Sequence, residues 1–388
     1  MSDDTKTISI LGVTGSIGSS TSKVILSAPE QFNVQNVTAH SNVDELAKKA
    51  IALRAKRAII SDEQYYNDLK TALSATNIEV AAGRDSLIEF SQEPVDVTMA
   101  AVVGIAGLEP VMAAMKGSSA IAVANKEPLV SAGELVLDTA KKSGVKILPV
   151  DSEHNAIFQV LDEKRRNLIK RIILTASGGP FREYTLEQMV DITPQQAVKH
   201  PNWSMGAKIS VDSATMMNKA LEIIEAYYLF DMPANQIDVI IHPQSIIHSM
   251  VEYIDGSVLS QMGASDMCTP IAYALGWPNR IKTPGDTLDF QTISKLEFYE
   301  PDFERFRSLK LAYACLEKGQ WACAAFNAAN EVAVAAFLDG RIGFLDILRI
   351  NEDTLEQTEK TELNDLNSVI EFDKLARDRA ERYIHSLI

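Results

Sequence analysis

Short apolar runs alternate with amphipathic stretches through residues 1–150, and this alternation constrains the fold more than any other feature. The apolar runs lie at residues 7–11, 34–39, 57–60, 95–103, 119–124 and 145–150. Each run has the length and composition of a buried strand, and helices are expected between them. Strict alternation of strand and helix predicts a parallel sheet with helices on both faces and ligands at the carboxyl ends of its strands.

A glycine-rich turn follows the first apolar run. Gly12-Val-Thr-Gly-Ser-Ile-Gly18 separates that run from a helix-like segment at residues 19–26. Glycines let the backbone turn tightly and approach a pyrophosphate, which would lie at the helix N-terminus. The spacing is G-x-x-G-x-x-G rather than the commoner G-x-G-x-x-G, so a glycine turn without a ligand remains an alternative.

The end of the second run bears on the choice of dinucleotide. His40-Ser41-Asn42 occupies the position at which an NAD-binding fold places a carboxylate for the ribose hydroxyls. Without Asp or Glu there, a 2′-phosphate meets no repulsion, which favours NADP over NAD. The alternative is a plain helix cap, in which Ser41 or Asn42 caps a helix at residues 43–53.

Length, charge and cysteine content limit the class of protein. A chain of 388 residues is expected to form two or three domains. Its net charge of -15 argues against a nucleic-acid partner. Three cysteines without C-x-x-C spacing predict reduced thiols rather than disulfides or a zinc site. The polar N-terminal segment and the lack of an apolar run of ~20 residues favour the cytoplasm, with no membrane partner.

Two polar clusters follow later strands. Asn125, Lys126 and Glu127 come directly after the run at residues 119–124, at an expected ligand-binding edge, although a Lys-Glu pair is usually a solvated surface feature. Asp151 and Glu153 follow the run at residues 145–150.

The second cluster predicts a metal site. On extended chain, Asp151 and Glu153 share one face, and two carboxylates on one face suit a divalent metal that prefers oxygen ligands. The alternative is a polar loop that caps the next helix, with Asp151 or Ser152 as N-cap and Glu153 in the first turn.

Two irregular segments follow a strand predicted at residues 172–176. Ser177-Gly-Gly-Pro180 is a turn whose amides and hydroxyl can hold an anion. The segment His200-Pro-Asn-Trp-Ser-Met-Gly206 is either a buried connector or a mobile lid. We expect a lid, because Trp203 and Met205 lie in a stretch whose apolar residues follow neither the spacing of a helix nor that of a strand. A Trp203 fixed in the core is the alternative.

A polar stripe is predicted on a helix that begins near Asp212. Residues 209–211 are expected to form a brief strand, with Asp212 or Ser213 capping the helix that follows. Asn218 and Glu222 are four residues apart and share a helix face. Such a stripe is usually the solvent side of a helix, but a serine at a helix N-terminus also suits a phosphate.

The remainder of the chain is predicted to contain strands, then a linker and then helices. Apolar runs within residues 239–253 and 258–262 predict strands of a mixed sheet. Residues 278–303 are rich in turn signals and are expected to form a linker. The sequence from residue 306 onward predicts a small helical domain.

Together these segments resemble one family, 1-deoxy-D-xylulose 5-phosphate reductoisomerase, over essentially the whole chain. Single motifs are weak, but their ordered set is specific. The motifs are Gly12-Val-Thr-Gly-Ser-Ile-Gly18, Ala124-Asn-Lys-Glu127, Pro149-Val-Asp-Ser-Glu-His-Asn155, Ala176-Ser-Gly-Gly-Pro-Phe-Arg182, His200-Pro-Asn-Trp-Ser-Met-Gly206, Val211-Asp-Ser-Ala-Thr-Met-Met-Asn-Lys219 and His242-Pro-Gln-Ser245.

The resemblance implies an α/β fold with three domains, usually in a homodimer. An N-terminal Rossmann-like domain with a parallel sheet is expected at residues 1–150 and would bind NADPH. A central α/β catalytic domain with a mixed sheet is expected at 151–280, a linker at 281–305 and a C-terminal helical bundle at 306–388.

The resemblance also implies roles for individual residues. Asp151, Glu153 and Glu222 would hold Mg²⁺ or Mn²⁺, and with Lys126 and His200 they form the expected catalytic set. A phosphorylated substrate would contact Lys126, Ser152, Glu153, Ser177, His200, Trp203, Ser213, Asn218, Lys219 and Glu222. NADPH would contact Thr14, Gly15, Ser16, Ile17, Ser41, Asn42, Asn125, Glu127 and Gly206. One departure is Ser41, where family members often carry a basic residue.

The implied reaction joins a rearrangement to a reduction. A metal chelated by substrate ketone and hydroxyl oxygens would stabilise an enolate formed by retro-aldol cleavage. The fragments would rejoin as a branched aldehyde phosphate, which NADPH would reduce. Two other classes remain as alternatives: an NADP-dependent semialdehyde or homoserine-type dehydrogenase, which would need no metal carboxylates, and a nucleotide-sensing protein without turnover.

Overall fold

The computed structural model describes residues 5–203 and 205–387. By contact density the chain forms two compact units. Unit 1 comprises Met1–Asn125, Val136–Asn155 and Asp266–Asp286, and unit 2 comprises Lys126–Leu135, Ala156–Ser265 and Thr287–Ile388. The boundaries predicted for the functional domains remain a prediction.

Strands and helices alternate in the first half of the chain, and helices dominate its end. The strands are β1 (Lys6–Leu11), β2 (Phe32–Ala39), β3 (Arg57–Ile60), β4 (Glu79–Ala82), β5 (Val95–Ala100), β6 (Ser118–Val123), β7 (Lys146–Pro149), β8 (Ile169–Ala176), β9 (Ile237–Ile241), β10 (Ile247–Tyr253) and β11 (Val258–Met262). The helices are α1 (Ser16–Ser27), α2 (Val43–Ala52), α3 (Tyr66–Ala72), α4 (Gly83–Ser91), α5 (Leu108–Ala114), α6 (Glu127–Ser143), α7 (Ser152–Val160), α8 (Leu186–Met189), α9 (Pro194–Ala197), α10 (Ala207–Ala214), α11 (Met217–Phe230), α12 (Cys268–Gly276), α13 (Ser308–Lys318), α14 (Gln320–Leu338), α15 (Asp346–Gln357) and α16 (Leu366–Leu387).

Unit 1 is organised around a seven-stranded parallel sheet in the order β4-β3-β2-β1-β5-β6-β7. The central strand β1 pairs with β2 on one side and with β5 on the other, so Ile8 lies beside both Val34 and Val97. Chain order reverses at this point, which is where open α/β sheets bind ligands at their carboxyl edge. The predicted Rossmann-like parallel sheet is confirmed.

Strand β4 is the one strand of this sheet that the sequence pattern did not predict. It lies at the edge of the sheet and none of its four residues is buried. An edge strand packs and pairs on one side only, so Glu79–Ala82 needs no continuous apolar run.

Unit 2 contains a four-stranded mixed sheet in the order β11-β10-β8-β9. Strands β8 and β9 are parallel, whereas β10 is antiparallel to both β8 and β11. This confirms the predicted mixed sheet, and helices α13–α16 confirm the predicted helical end of the chain. Residues 277–307, all of them described, contain no helix or strand beyond a single bridge between Tyr299 and Ile241.

Helix α14 forms part of the core of unit 2. It is long and apolar enough to cross a membrane, but 78% of its most apolar window is buried inside the protein. Phe326 and Phe337 on this helix are almost fully buried. Among the described residues, no other helix is both long enough and apolar enough to cross a membrane.

The three cysteines are free and buried. Burial raises the pKa of the Cys268 thiol to about 11 and that of the Cys315 thiol to about 12. Burial also raises the pKa of Cys323 well above its ordinary value. All three are therefore protonated at neutral pH.

Candidate active site

The turn between β1 and α1 needs glycine at two positions. Gly12 has φ +86°, in the left-handed region that favours glycine. A Cβ on Gly18 would lie 2.4 Å from the carbonyl oxygens of Gly12 and Val13. Helix α1 begins at Ser16, and Gly15 before it offers no side-chain cap. The first amides of α1 are thus available to an anion rather than to a capping side chain.

The segment after β2 caps the next helix. Asn42 Oδ1 accepts a hydrogen bond from the Glu45 amide at 3.1 Å, so the predicted cap is confirmed at Asn42. Ser41 is exposed. Asp44 and Glu45 lie in the first turn of α2, where acidic side chains interact favourably with the helix dipole.

Asn125 ties the ends of two neighbouring strands in unit 1. Its side-chain amide donates to the carbonyl oxygens of Val102 and Gly104, the latter at 2.8 Å. Asn125 is buried, and a Cβ on Gly107 would approach its amide nitrogen to 2.9 Å. The residue therefore shapes the carboxyl edge of the sheet between β5 and β6.

The carboxylates of Asp151 and Glu153 lie at a helix N-terminus. Strand β7 ends at Pro149 and α7 begins at Ser152. Asp151 Oδ1 accepts the Ser152 amide at 2.9 Å, and the Asp151 carbonyl accepts the Asn155 amide at 2.8 Å. The expectation that both carboxylates project from extended chain is wrong, because these bonds start the helix directly after β7. The helix-cap alternative describes the local geometry, with Glu153 in the first turn.

The polar stripe of α11 does not face solvent, because Glu222 is buried and Asn218 is half-buried in unit 2, so its interpretation as a solvent face is wrong. Glu222 is 0% exposed. The Lys126 ammonium lies 3.0 Å from Glu222 Oε1 and 2.8 Å from Asn218 Oδ1. Lys219 contacts Glu222 Oε2, and the Asn218 amide contacts Oε1. We call these four residues the Glu222 cluster. Oε1 of the buried Glu222 carboxylate thus faces Lys126 and Asn218, and Oε2 faces Lys219.

Hydrogen bonds around His200 fix its tautomer. Nδ1 accepts the amides of Asn202 at 3.1 Å and Trp203 at 3.0 Å, so the ring proton lies on Nε2. Nε2 then donates to Ser177 Oγ at 3.0 Å. Ser177 Oγ also accepts the Gly179 amide at 3.2 Å. With two bonds accepted, the Ser177 hydroxyl has its own proton to donate to a ligand.

Burial holds His200 in its neutral form. Desolvation lowers the pKa of His200 from 6.5 to about 4. At neutral pH the ring is therefore a neutral donor through Nε2 rather than a cation.

Residues 200–203 and 205–206 form neither helix nor strand, as the lid hypothesis requires. Ser204 of this segment lies outside the described residues. Trp203 is of intermediate exposure, and its ring centroid lies 6.1 Å from that of His248. Trp203 is not fully buried, so the alternative of a fixed core tryptophan is not supported.

Directly after the segment 200–206, the chain forms the helix α10 where a strand was predicted. Residues 209–211 lie inside α10, so the strand predicted there is wrong, and Asp212 and Ser213 lie near the end of α10 rather than capping a helix. Lys208 and Asp212, four residues apart at 2.8 Å, stabilise α10 as an ion pair. Met216, with φ +57°, then separates α10 from α11.

The Ser177 turn packs against Ser213. Gly179 has φ +69°, and a Cβ on it would lie 2.6 Å from the Ser213 carbonyl oxygen. Only glycine permits this approach. Two of the serines predicted to bind phosphate are thus brought together within unit 2.

Comparison with known proteins covers nearly the whole chain. Family models of 1-deoxy-D-xylulose 5-phosphate reductoisomerase match residues 8–133, and models of its C-terminal domains match 147–230 and 262–379. The reductoisomerase of Rhodospirillum centenum is 54% identical over 98% of this chain and 95% of its own length. That of Zymomonas mobilis is 50% identical over 98% of both chains. The chain belongs to the 1-deoxy-D-xylulose 5-phosphate reductoisomerase family.

Solved structures of reductoisomerases have the same fold. The Zymomonas mobilis enzyme in complex with NADPH has a TM-score of 0.92 at 49% identity, covering 98% of this chain and 99% of that one. A reductoisomerase in complex with NADPH, fosmidomycin and magnesium has a TM-score of 0.94 at 43% identity, with the same coverage. Membership of this family decides against a semialdehyde or homoserine-type dehydrogenase.

The sequence reasoning missed one ionic group of this reductoisomerase-family chain, in which a half-buried lysine contacts two buried carboxylates. The Lys208 ammonium lies 2.7 Å from Glu127 Oε1 and 2.8 Å from Asp212 Oδ2, and Asn330 donates to Asp212 Oδ1 at 2.8 Å. Burial disfavours the charge on Lys208, but Asp212 and Glu127 outweigh it and raise its pKa. The four-residue spacing of Lys208 and Asp212 is the signal that could have found the pair.

Proposed function

We propose that the protein converts 1-deoxy-D-xylulose 5-phosphate into 2-C-methyl-D-erythritol 4-phosphate with NADPH and a divalent metal, in non-mevalonate isoprenoid biosynthesis. The observation that carries the proposal is the Glu222 cluster, a buried carboxylate on a helix whose Asn218 and Lys219 can hold a phosphate. Full-length relatives bear the name of this enzyme, and solved relatives hold NADPH, magnesium and fosmidomycin.

The cofactor proposed is NADPH. Thr14, Ser16 and Ile17 would present backbone amides to its pyrophosphate, because α1 begins here without a side-chain cap. Gly15, whose amide donates to the Gly12 carbonyl oxygen, would let the pyrophosphate approach the backbone closely. Its other contacts would come from Ser41, Asn42, Asn125, Glu127 and Gly206. When bound, NADPH supplies the hydride for the reduction. Since positions 40–42 contain no Asp, Glu, Arg or Lys, we expect a preference over NADH that is smaller than a bidentate arginine would give.

The metal proposed is Mg²⁺ or Mn²⁺, held by Asp151, Glu153 and Glu222. These residues fit such an ion, because hard divalent cations take carboxylate oxygens as ligands. Glu222 lies between the ammonium groups of Lys126 and Lys219, and Asp151 and Glu153 lie together at the start of α7. A bound ion would act as a Lewis acid toward the substrate ketone and the neighbouring hydroxyl.

The phosphate is proposed to bind Ser177, Ser213, Asn218 and Lys219. The Ser177 hydroxyl has a proton to donate, and Gly179 holds the Ser177 turn against Ser213. Binding of the phosphate would keep the cleaved fragment in the site until the two fragments rejoin. Further substrate contacts are proposed for Lys126, Ser152, His200 and Trp203.

Each part of the chain then has a distinct task in the reaction. Lys126 contacts both Asn218 and Glu222. It would orient the substrate beside the residues proposed to bind the phosphate. Neutral His200 would hold the Ser177 hydroxyl in its donating orientation. Closure of the segment 200–206 would exclude water from the enolate and the fragment aldehyde.

We also propose that the enzyme is a cytoplasmic homodimer. The edge strand β11 of unit 2 carries Val258 and Leu259, each 48% exposed, and Ile254 is 63% exposed. An exposed apolar edge strand is suited to pairing with a second copy. We expect Leu259→Lys to shift the protein toward monomer in sedimentation velocity, whereas Leu387→Lys, on another exposed leucine, should not.

The decisive experiment is oxidation of NADPH, followed by its absorbance, on addition of 1-deoxy-D-xylulose 5-phosphate with Mg²⁺. We expect turnover that stops when the metal is chelated and returns when it is restored, with 2-C-methyl-D-erythritol 4-phosphate as the product. NADPH binding without oxidation would instead support the nucleotide-sensing alternative. Equal catalytic efficiency with NADH would contradict the proposed cofactor preference.

A further inference from the structure

A buried lysine lies against the glycine turn of unit 1. Lys49 on α2 is only 8% exposed. Its ammonium donates to the Val13 carbonyl oxygen at 2.9 Å and to Ser19 Oγ at 2.5 Å. Glu45 Oε1 lies 3.7 Å from the same nitrogen. Because helical side chains lean toward the helix N-terminus, Lys49 reaches back from the second turn of α2 to the turn that precedes α1.

Ser19 extends this contact to a second carbonyl. Its hydroxyl accepts from Lys49 and donates to the Gly15 carbonyl oxygen at 2.8 Å. The carbonyls of Val13 and Gly15 are therefore both held on the Lys49 side of the turn, one directly and one through Ser19.

The direction of these carbonyls sets the direction of two amides. In a planar trans peptide the C=O and N–H groups point in opposite directions. The amide of Thr14 shares a peptide with the Val13 carbonyl, and the amide of Ser16 shares one with the Gly15 carbonyl. Both amides consequently point away from Lys49, toward the side from which an anion can approach.

We propose that Lys49 is a positioning residue for the dinucleotide. It holds two peptides of the glycine turn so that the Thr14 and Ser16 amides face the pyrophosphate. Its charge also polarises these peptides in the direction that favours an anion. The inference rests on the proposed function only in its choice of NADPH as the ligand.

The neighbouring lysine provides a matched control. Lys48 lies 3.7 Å from the same residue, Glu45, but its side chain is 77% exposed. A change at Lys48 alters the net charge as a change at Lys49 does, and leaves the Lys49 and Ser19 bonds to the turn in place.

The test is equilibrium binding to Lys49→Met without sugar phosphate, measured by calorimetry. NADPH and ADP-ribose contain the pyrophosphate, whereas adenosine 2′-monophosphate does not. We expect the Kd of NADPH and ADP-ribose to rise about tenfold or more, with little change for adenosine 2′-monophosphate. Lys49→Arg should retain part of the affinity, and Lys48→Met should bind all three ligands as the unchanged protein does.

Three outcomes overturn the inference. They are unchanged Kd values in Lys49→Met, an equal loss for adenosine 2′-monophosphate, and an equal loss in Lys48→Met. If Lys49→Met does not fold, Lys49→Gln is measured in the same way, since it keeps a donor and removes the charge. Turnover is not needed for this readout, so a protein that binds NADPH without oxidising it contradicts the proposed reaction and leaves the Lys49 test intact.

Discussion

The glycine turn of unit 1 and the Glu222 cluster of unit 2 are both candidate binding regions, but they are built from different groups. The turn offers backbone amides, and its shape depends on the absence of a side chain at Gly18. The cluster offers charged side chains, and its charge balance depends on Lys126 and Lys219. The first region should therefore be sensitive to added volume, and the second to removed charge.

The largest effect should come from charge removal at Lys208. Lys208→Met leaves Glu127 and Asp212, which are 5% and 1% exposed, without their common cation. Loss of one partner of a buried ion pair costs about 3 kcal/mol or more. Urea unfolding measures this loss of stability. Lys295→Met, at an exposed ion pair, should cost less than about 1 kcal/mol. Equal stability of the two variants would contradict the expectation that a cation beside buried carboxylates stabilises the protein more than one in an exposed ion pair.

The next effect is on metal binding. Glu222→Gln keeps the shape of the side chain but removes its charge. We expect turnover and Mn²⁺ affinity each to fall at least about 100-fold, since even changes outside the ligand shell cost 10–100-fold. Mn²⁺ titration and NADPH oxidation measure the two. An unaltered titration would exclude Glu222 as a ligand, and Glu371→Gln on α16 is a control for charge alone.

Added volume should damage the glycine turn. Gly18→Ala places a Cβ 2.4 Å from two carbonyl oxygens, whereas at Gly15 the nearest such atom is 3.5 Å away. Gly18→Ala should lower the unfolding free energy by about 1–3 kcal/mol, and Gly15→Ala should remain close to the unchanged protein. Thermal unfolding compares the two. Equal stabilities would show that the turn is less constrained than its geometry indicates.

Replacement of Trp203 tests whether turnover depends on closure of the segment 200–206 as well as on the charged residues of unit 2. Trp203 is of intermediate exposure. If the segment is a lid as predicted, Trp203→Ala should keep the melting temperature of the protein and lose most turnover, about tenfold or more. Trp203→Phe should retain more activity, because it preserves apolar area. A stability loss of ~3–5 kcal/mol would instead indicate a core residue. Cleavage within residues 200–206 by a protease should be suppressed by NADPH with fosmidomycin.

The last effect concerns the dependence of stability on pH. Burial lowers the pKa values of His200 and His248 from 6.5 to about 4. Between these values the unfolded chain binds protons that the folded chain does not, so stability should fall as the pH falls from 6.5 toward 4. Urea unfolding across this window measures the slope. His200→Asn should reduce the slope, whereas His385→Asn, at an exposed position, should not.

Sequence reasoning succeeded where a feature depends on neighbouring residues. The apolar run at residues 7–11 became β1, and the Asn42 cap was foreseen. Sequence reasoning failed where a feature depends on residues that are far apart in the sequence. Glu127 and Lys208 are 81 positions apart, so no local pattern shows their ion pair. Residues 209–211 were too few to tell strand from helix by composition. At Asp151 and Glu153 the extended backbone conformation was wrong, because a strand end and a helix start both favour polar residues, and their role as metal ligands stays a prediction.

The burial of all three cysteines has a practical consequence. Cys268, Cys315 and Cys323 are buried, and burial raises their pKa values. Maleimide and iodoacetamide reagents need an accessible thiolate, so the unchanged chain should react slowly. A cysteine introduced at exposed Lys199 would be labelled first. A fluorophore or spin label at that position would test directly whether the neighbouring segment 200–206 moves when ligands bind, without prior removal of the native thiols.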